Sequence, residues 1–277
     1  MALSVVDLYR DVLPKTNCRD CGSPTCLAFA SKVVSEKFDL GGCPYVDANL
    51  LATCKIELEQ QYREGRWTKR DMAADALVWA RQKTASMRIQ DLPDRIGGRL
   101  VTRNGTTSLE LPYFTTTLLI NDDSINKSDG SEITRYEQVL IYNHMAQGGR
   151  RQPAGKWKGL VEFPNTVSKI KSMIEQIETP LIQRFRGKTT ELIAAVKAIG
   201  GEDRTDSRES SGLNFYFQPL PRVPVTLMFW DEDPEEGFEP MAKLLFDETV
   251  TEHLDIESIM FLSERLKQLL CEFPISG

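Results

Sequence analysis

Residues 13–26 read Leu13-Pro14-Lys15-Thr16-Asn17-Cys18-Arg19-Asp20-Cys21-Gly22-Ser23-Pro24-Thr25-Cys26, and one helix-length later the chain returns to Gly41-Gly42-Cys43-Pro44. The cysteine spacing is C-x2-C-x4-C-x16-C. Four of the six cysteines of a 277-residue chain fall in this one segment, which is too localised for a disulfide scaffold and points, in a reducing compartment, to metal. Four thiolates suit either an iron–sulfur cluster or a four-cysteine zinc site. A zinc ribbon usually presents two CxxC knuckles; here there is one knuckle, a third Cys five residues on, and a distant fourth followed by proline. That pattern favours iron–sulfur. Ser23 and Pro24 fit the N-cap and first position of a helix through Leu27, Ala30, Val33 and Val34, which would put Cys26 near its third position. Its sulfur would then lie beside unpaired helix N–H groups, which favour thiolate. Gly22, Gly41 and Gly42 are expected to let the backbone approach the sulfurs closely.

Upstream, Ser4-Val5-Val6-Asp7 has capping-box spacing, and Val5, Leu8, Tyr9, Val12 and Leu13 form one apolar helical face ending before Pro14. Downstream, residues 49–64 read as a helix closed by Gly65, and Thr68 can cap another to about residue 86. Residues 99–111 read as a hairpin around Asn104-Gly105, a preferred type I′ turn, with a third strand over residues 114–120. Helices are expected over residues 131–147, 168–177, 181–199 and 256–271, and strands over 158–163, 213–218, 223–230 and 241–246. The polar stretch 200–212 reads as a surface loop. The fold class is therefore α+β: a small helical module, residues 1–66, followed by a mixed α+β domain with antiparallel hairpins, residues 67–277.

The 34 Lys plus Arg and 40 Asp plus Glu give a net charge of −6, the composition of an ordinary globular protein rather than a disordered one. No window approaches a membrane span and the first ten residues contain no signal core, so a cytoplasmic protein without membrane attachment is expected. The acidic balance argues against nucleic acid. Charge is segregated: residues 150–190 carry nine Lys/Arg against three Glu, whereas residues 200–277 carry six against seventeen Asp/Glu. Arg150, Arg151, Lys156 and Lys158 around Trp157 form a basic segment suited to an acidic partner or an anionic ligand, with a solvated face as the plain alternative. Residues 231–239 form an acidic turn matching no calcium-loop pattern. Cys54 and Cys271 lie on apolar helical faces and read as core residues, and the only two histidines, His144 and His253, have no recognisable partner in sequence. No P-loop, dinucleotide fingerprint or nucleophile elbow is present, so no catalytic residue is assigned and enzyme activity is left undecided.

At its cysteines the sequence resembles a known family. LPKTNCRDCGSPTCLAFA followed by GGCPYV is similar to the [4Fe-4S] module of the corrinoid iron–sulfur protein large subunit, the methyl carrier of the acetyl-CoA pathway. The resemblance covers about residues 1–60. It implies that Cys18, Cys21, Cys26 and Cys43 ligate a low-potential [4Fe-4S] cluster of the kind that reactivates oxidised cobalamin. The carrier's corrinoid-binding part, a βα barrel, does not carry over, because residues 67–277 show hairpins and no βα period. From about Ala73 the chain instead resembles the DUF3786 family, on residues 136–142 (YEQVLIY), 159–163 (GLVEF), 223–230 with the acidic turn, and 245–247 (LFD). That family name brings no activity.

Two readings result. One is a redox accessory that exchanges electrons with a protein partner, such as a corrinoid protein, in anaerobic one-carbon metabolism. The other is a ligand- or partner-binding regulatory protein with a structural or redox-sensing cluster, whose larger domain holds a corrinoid or some other ligand.

Overall fold

The computed structural model describes residues 3–64, 72–103, 105–206, 212–233, 235 and 237–274. The chain divides into two compact units, residues 1–75 and 76–277. The boundary expected at residue 66, together with Gly65 and Thr68, lies outside the described residues.

The smaller unit is helical. The Ser4 capping box forms, its hydroxyl accepting the Asp7 N–H while Asp7 accepts the Ser4 N–H at 3.0 Å, and it starts α1 (Val5–Asp7), which continues as a π-turn over Leu8–Val12. Helix α2 spans Cys26–Glu36 and α3 spans Ala48–Arg63, with Asp47 capping α3 through the N–H groups of Asn49 and Leu50. Leu8, Leu13, Phe29, Ala30, Val33, Leu40 and Leu58 make its core, and Cys54 is buried among them, as its apolar helical face implied. The Tyr62 hydroxyl donates to the Val33 carbonyl, fastening α3 to α2.

The larger unit opens within α4 (Met72–Thr84) and continues through the short α5 (Leu92–Ile96) into a four-stranded antiparallel sheet of β1 (Arg99–Arg103), β2 (Thr106–Tyr113), β3 (Thr116–Ile120) and β4 (Ile125–Lys127) in that order. Arg103 faces Thr106 across the expected two-residue turn, of which Asn104 lies outside the described residues. Next come α6 (Arg135–Gln147), β5 (Trp157–Gly159), α7 (Val167–Met173), α8 (Thr179–Phe185) and α9 (Thr189–Ala198). The chain ends with β6 (Glu202–Asp203), β7 (Leu213–Leu220), β8 (Val223–Trp230), β9 (Met241–Asp247), α10 (Val250–His253) and α11 (Ile256–Cys271). The second sheet has the order β5-β9-β8-β7-β6, and every strand pair is antiparallel. The α+β class holds, and no described strand pair belongs to a parallel βα barrel.

Strand β8 is the central strand, which is why its sequence is an almost unbroken apolar run. Pro224 lies within it, at the register shift opposite Phe217 and Leu220, where its missing N–H costs the β7–β8 ladder nothing. Helix α11 places Ile259, Leu262, Leu266 and Leu270 on one buried stripe, starting from an Asp255 cap that accepts the Ser258 N–H at 2.8 Å.

Some elements depart from the sequence reading. The interruption expected near residues 178–180 is absent: α7 runs through a π-turn over Ile174–Glu178 into α8, and Pro180 sits in the first turn of α8, where its missing N–H does little harm. The break falls instead at Gly187, whose φ of +68° ends α8 within the expected 181–199 helix. The strand expected over 158–163 is three residues long and turns into a 3-10 segment at Leu160–Glu162. Residues 200–212 are not all loop, because Glu202 and Asp203 pair with Tyr216 and Phe215 as β6; residues 207–211 lie outside the described residues.

Candidate metal centre

The four motif cysteines come from three local structures of the smaller unit. Cys18 and Cys21 lie in the loop after Pro14, Cys26 opens α2, and Cys43 follows a 3-10 turn over Leu40–Gly42 capped by Asp39. Cys18 is exposed, Cys21 half-buried, and Cys26 and Cys43 buried. Burial pushes the Cys43 thiol up; the Tyr45 N–H pulls it down, and the sulfurs of Cys21, Cys26 and Cys18 push it up again, so all four lie within electrostatic reach of one another. Among the described residues no three His, Cys, Asp or Glu side chains converge as ligands of one ion. An iron–sulfur cluster does not need such convergence, since its own irons and sulfides stand between the thiolates.

The helix start differs from expectation. Thr25, not Ser23, is the N-cap, its hydroxyl accepting the Ala28 N–H at 3.0 Å, so Cys26 is the first helical residue rather than the third. Pro24 disfavours helical backbone at Ser23 and so keeps it out of the helix. The Cys26 N–H is taken by Asn17 Oδ1 at 2.8 Å, which ties the cysteine loop back onto the helix. Gly22 has φ of +73° and open space where a Cβ would lie, so it serves the turn rather than a close approach.

Two features bear on whether an iron–sulfur group fits. Lys15, Asn17 and Arg19 all have left-handed φ, 61°, 52° and 72°, a costly arrangement in three non-glycine residues unless something fixes it. Turns of this kind can direct successive N–H groups into a concavity that favours anions, as thiolates and their cluster are. Secondly, the Ser23 hydroxyl is buried at 2% exposure with no partner among the described residues, a donor left over beside the motif cysteines. Four thiols, left-handed backbone and a spare hydroxyl fit the group. Cys18, Cys21, Cys26 and Cys43 would hold it.

Comparison with known proteins adds to this geometry. The family described as "Domain of unknown function (DUF3786)" matches residues 88–269, well over half of the chain. The chain belongs to the DUF3786 family. A second family, described as "Putative Fe-S cluster", matches residues 13–45 ahead of the DUF3786 region, and supports an iron–sulfur cofactor there. The corrinoid/iron-sulfur protein large subunit of Moorella thermoacetica is 52% identical over 46 residues, 17% of this chain and 10% of that protein. The acetyl-CoA decarbonylase/synthase complex subunit gamma of Methanocaldococcus jannaschii is 42% identical over 45 residues, 16% of this chain and 9% of that protein. A gamma 2 subunit of the same complex from Methanosarcina mazei aligns at 24% identity over 183 residues, 65% of this chain and 34% of that protein. The chain thus spans about a tenth of the first two relatives and a third of the last. No solved structure matches.

In the DUF3786 unit the two charged segments meet. Arg151 binds Glu248 at 3.1 Å and Glu252 at 3.0 Å, and Lys156 and Lys158 each come within 3.9 Å of Glu248. The Asp247 carboxylate accepts the N–H groups of Ala154, Gly155 and Thr249, which orders the loop before Trp157. Trp157 packs edge-on against Tyr216, ring centres 6.0 Å apart. Three cations share two carboxylates here and Arg150 is exposed beside them, so the segment stays net positive. The acidic turn is a hairpin loop between β8 and β9, with Glu232 accepting from Arg186 Nε at 2.6 Å and Asp231 from the Gly187 N–H at 2.9 Å; Pro234 and Glu236 lie outside the described residues.

His144 and His253, unrelated in sequence, are both fully buried with ring centres 6.3 Å apart. His144 Nδ1 lies 3.0 Å from the His253 carbonyl and His253 Nε2 lies 3.0 Å from the Arg151 carbonyl. A carbonyl only accepts, so those nitrogens carry the protons, while His144 Nε2 and His253 Nδ1 are buried without partners among the described residues. Burial pushes His144 down to about 4 and holds His253 below its usual 6.5, and Arg222 adds to both. An unfolded histidine takes up its proton near 6.5 and the folded His144 only near 4, so stability is full above pH 6.5 and falls below it. The expected loss is about 1.4 kcal/mol per pH unit until the folded value is reached. Urea unfolding of the intact chain between pH 7.5 and 4.5 measures it, and a His144→Gln variant should show a shallower slope. An unchanged slope in that variant would assign the effect to other groups.

Proposed function

We propose that this protein is a redox accessory: a [4Fe-4S] protein, liganded by Cys18, Cys21, Cys26 and Cys43, that exchanges single electrons with a protein partner in anaerobic corrinoid or one-carbon metabolism. The observation that carries the reading is the gradient of exposure across the ligand set, from buried Cys26 and Cys43 to exposed Cys18, which gives a partner one face to approach. A cluster in this position supplies reversible one-electron storage. Around it the Tyr45 hydroxyl donates to Asp20 at 2.6 Å and holds the loop between Cys18 and Cys21 to the segment after Cys43. The relatives that share the motif are subunits of corrinoid/iron-sulfur and acetyl-CoA decarbonylase/synthase proteins, which supports an accessory place beside the acetyl-CoA pathway. Among the described residues no helix is long and apolar enough to cross a membrane.

Anaerobic reconstitution tests the reading. About four irons and four sulfides per chain, with reversible one-electron reduction below about −300 mV, are expected. Stoichiometric zinc without sulfide would defeat it. A cluster that cannot be reduced without loss of fold would favour the second reading, a binding or regulatory protein, which is supported by a cavity of about 620 Å³ in the DUF3786 unit lined by Arg81, Met87, Asn121 and Tyr142.

The net-positive segment at Arg150, Arg151, Lys156, Trp157 and Lys158 is the proposed docking face for an acidic redox partner. Arg150→Glu with Lys156→Glu is expected to slow partner reduction several-fold at low ionic strength, with the difference shrinking in salt as the Debye length falls below about 8 Å. Equal rates at low salt would remove this segment from the interface.

A further inference from the structure

The DUF3786 unit contains a second cavity, of about 400 Å³, between α6, α7 and α11. Its size is that of a small-molecule site, and Tyr136, Ile177, Met260 and Phe261 give it apolar walls. Tyr136 is 55% exposed, tilted against the Phe261 ring at 5.3 Å, an aromatic pair with open space before it.

The floor is ionic. Glu137, 3% exposed, has Lys127 Nζ at 3.0 Å and Arg265 Nε at 3.1 Å from one carboxylate oxygen, which accepts the Tyr113 hydroxyl at 3.2 Å; its other oxygen accepts the Thr134 N–H at 2.9 Å and Lys127 Nζ at 3.3 Å. Two cations therefore share one carboxylate. The other acids lining the cavity are each paired, Glu257 with Lys169, also on the cavity wall, at 2.6 Å and Glu264 with Lys267 at 2.6 Å. Lys127 meets Glu137 from the buried side, donating also to the Glu132 carbonyl at 2.9 Å, so the surplus positive charge belongs to Arg265, which lines the cavity. Its guanidinium is under-committed. Nε lies off the line of a hydrogen bond to Glu137 and has no other acceptor among the described residues, and Nη1 reaches only Gln268 Oε1, at 3.5 Å.

We propose that this cavity binds a small organic anion, a carboxylate on an aromatic or apolar body, with Arg265 taking the carboxylate and Tyr136 and Phe261 packing on the body. An arginine fork matches a carboxylate in two parallel hydrogen bonds, and a partly buried surplus charge opening onto a cavity is neutralised most directly by an anion entering it. The site stands whichever role the cysteine module has.

The test titrates benzoate and its uncharged isostere benzamide into the full-length protein, followed by calorimetry and by the ring signals of the tyrosines and phenylalanines. Benzoate is expected to bind saturably and at least tenfold more tightly than benzamide. Tyr136→Ala, at an exposed position, should weaken benzoate several-fold. Arg265→Lys, which keeps the charge but not the fork, should lose most of the preference for benzoate, and Arg265→Gln should abolish it if the fold tolerates the change. Equal affinity for the two probes, binding of neither, or a response that sodium chloride reproduces at the same ionic strength would each overturn the assignment.

Discussion

Replacing Cys18, Cys21, Cys26 or Cys43 by alanine, one at a time, is expected to destroy or severely damage the iron–sulfur centre, whereas Cys54→Ala and Cys271→Ala leave its visible absorbance intact. The distinction rests on structure as well as spacing: Cys54 is packed among Leu8, Leu58 and their neighbours, and Cys271 against the core of the DUF3786 unit. The damage should reach the fold of the smaller unit. About 75 residues bury little apolar surface, and small units of this kind commonly rely on a metal staple, so removing it leaves the left-handed turns at Lys15, Asn17 and Arg19 without compensation. Helical circular dichroism from the smaller unit should fall while the larger unit keeps its cooperative transition. If Cys54→Ala removed the cluster and Cys43→Ala did not, the fourth ligand would be Cys54. If all four single variants kept full iron and sulfide, the ligand set itself would be wrong.

The second large effect is expected at Glu137→Ala. This carboxylate is shared by two cations, Lys127 at 4% side-chain exposure and Arg265 at 22%, and caps α6 through the Thr134 N–H. Removing one partner of a buried ion pair leaves the other charge uncompensated, at a cost of about 3–5 kcal/mol. Glu137→Gln keeps the shape and one acceptor and should cost less. Lys127→Met in the Glu137→Ala background should recover much of the loss, because the stranded charge is gone. Chemical denaturation of the intact chain, read from its second transition, measures all three. An effect under about 1 kcal/mol for Glu137→Ala would mean that solvent reaches Lys127 in the folded state.

The same group makes a pH prediction with a definite sign. Burial alone raises the Glu137 carboxyl, but the Thr134 N–H, Lys127 and Arg265 outweigh it and hold it below the ordinary 4.5. A depressed carboxyl contributes stability that is complete above pH 4.5 and is lost as pH falls through its folded value. This loss therefore sets in only at the low end of the window from 6.5 to about 4 in which His144 acts, and the two can be separated along one pH series by their onsets.

Sequence reasoning had a usable signal for Glu137. Thr134-Arg135-Tyr136-Glu137 has capping-box spacing, and reading it would have started the helix at residue 135 rather than 131. It would not have revealed the pairing with Lys127 on β4 and Arg265 on α11, which lie 10 and 128 residues away in the chain. The histidines show the same limit from the other side: nothing local distinguishes His144 or His253, and only the packing of α10 against α6 places their rings together.

Features that depend on local order were legible in the residues alone. Thiolate chemistry is carried by residue type and spacing, so the C-x2-C-x4-C-x16-C motif names the candidate ligands before any fold is known. Apolar period and turn chemistry likewise placed α11, β8 and the β1–β2 hairpin, because each is specified by its own residues. Features that depend on residues far apart in the chain emerged only with the three-dimensional arrangement. Folding brought the basic segment at Arg151 onto Glu248 and Glu252. It also gathered Lys127 and Arg265 onto the carboxylate of Glu137. Charge pairing and burial act between neighbours in space, and in this chain those neighbours meet only when the helices pack against the sheets.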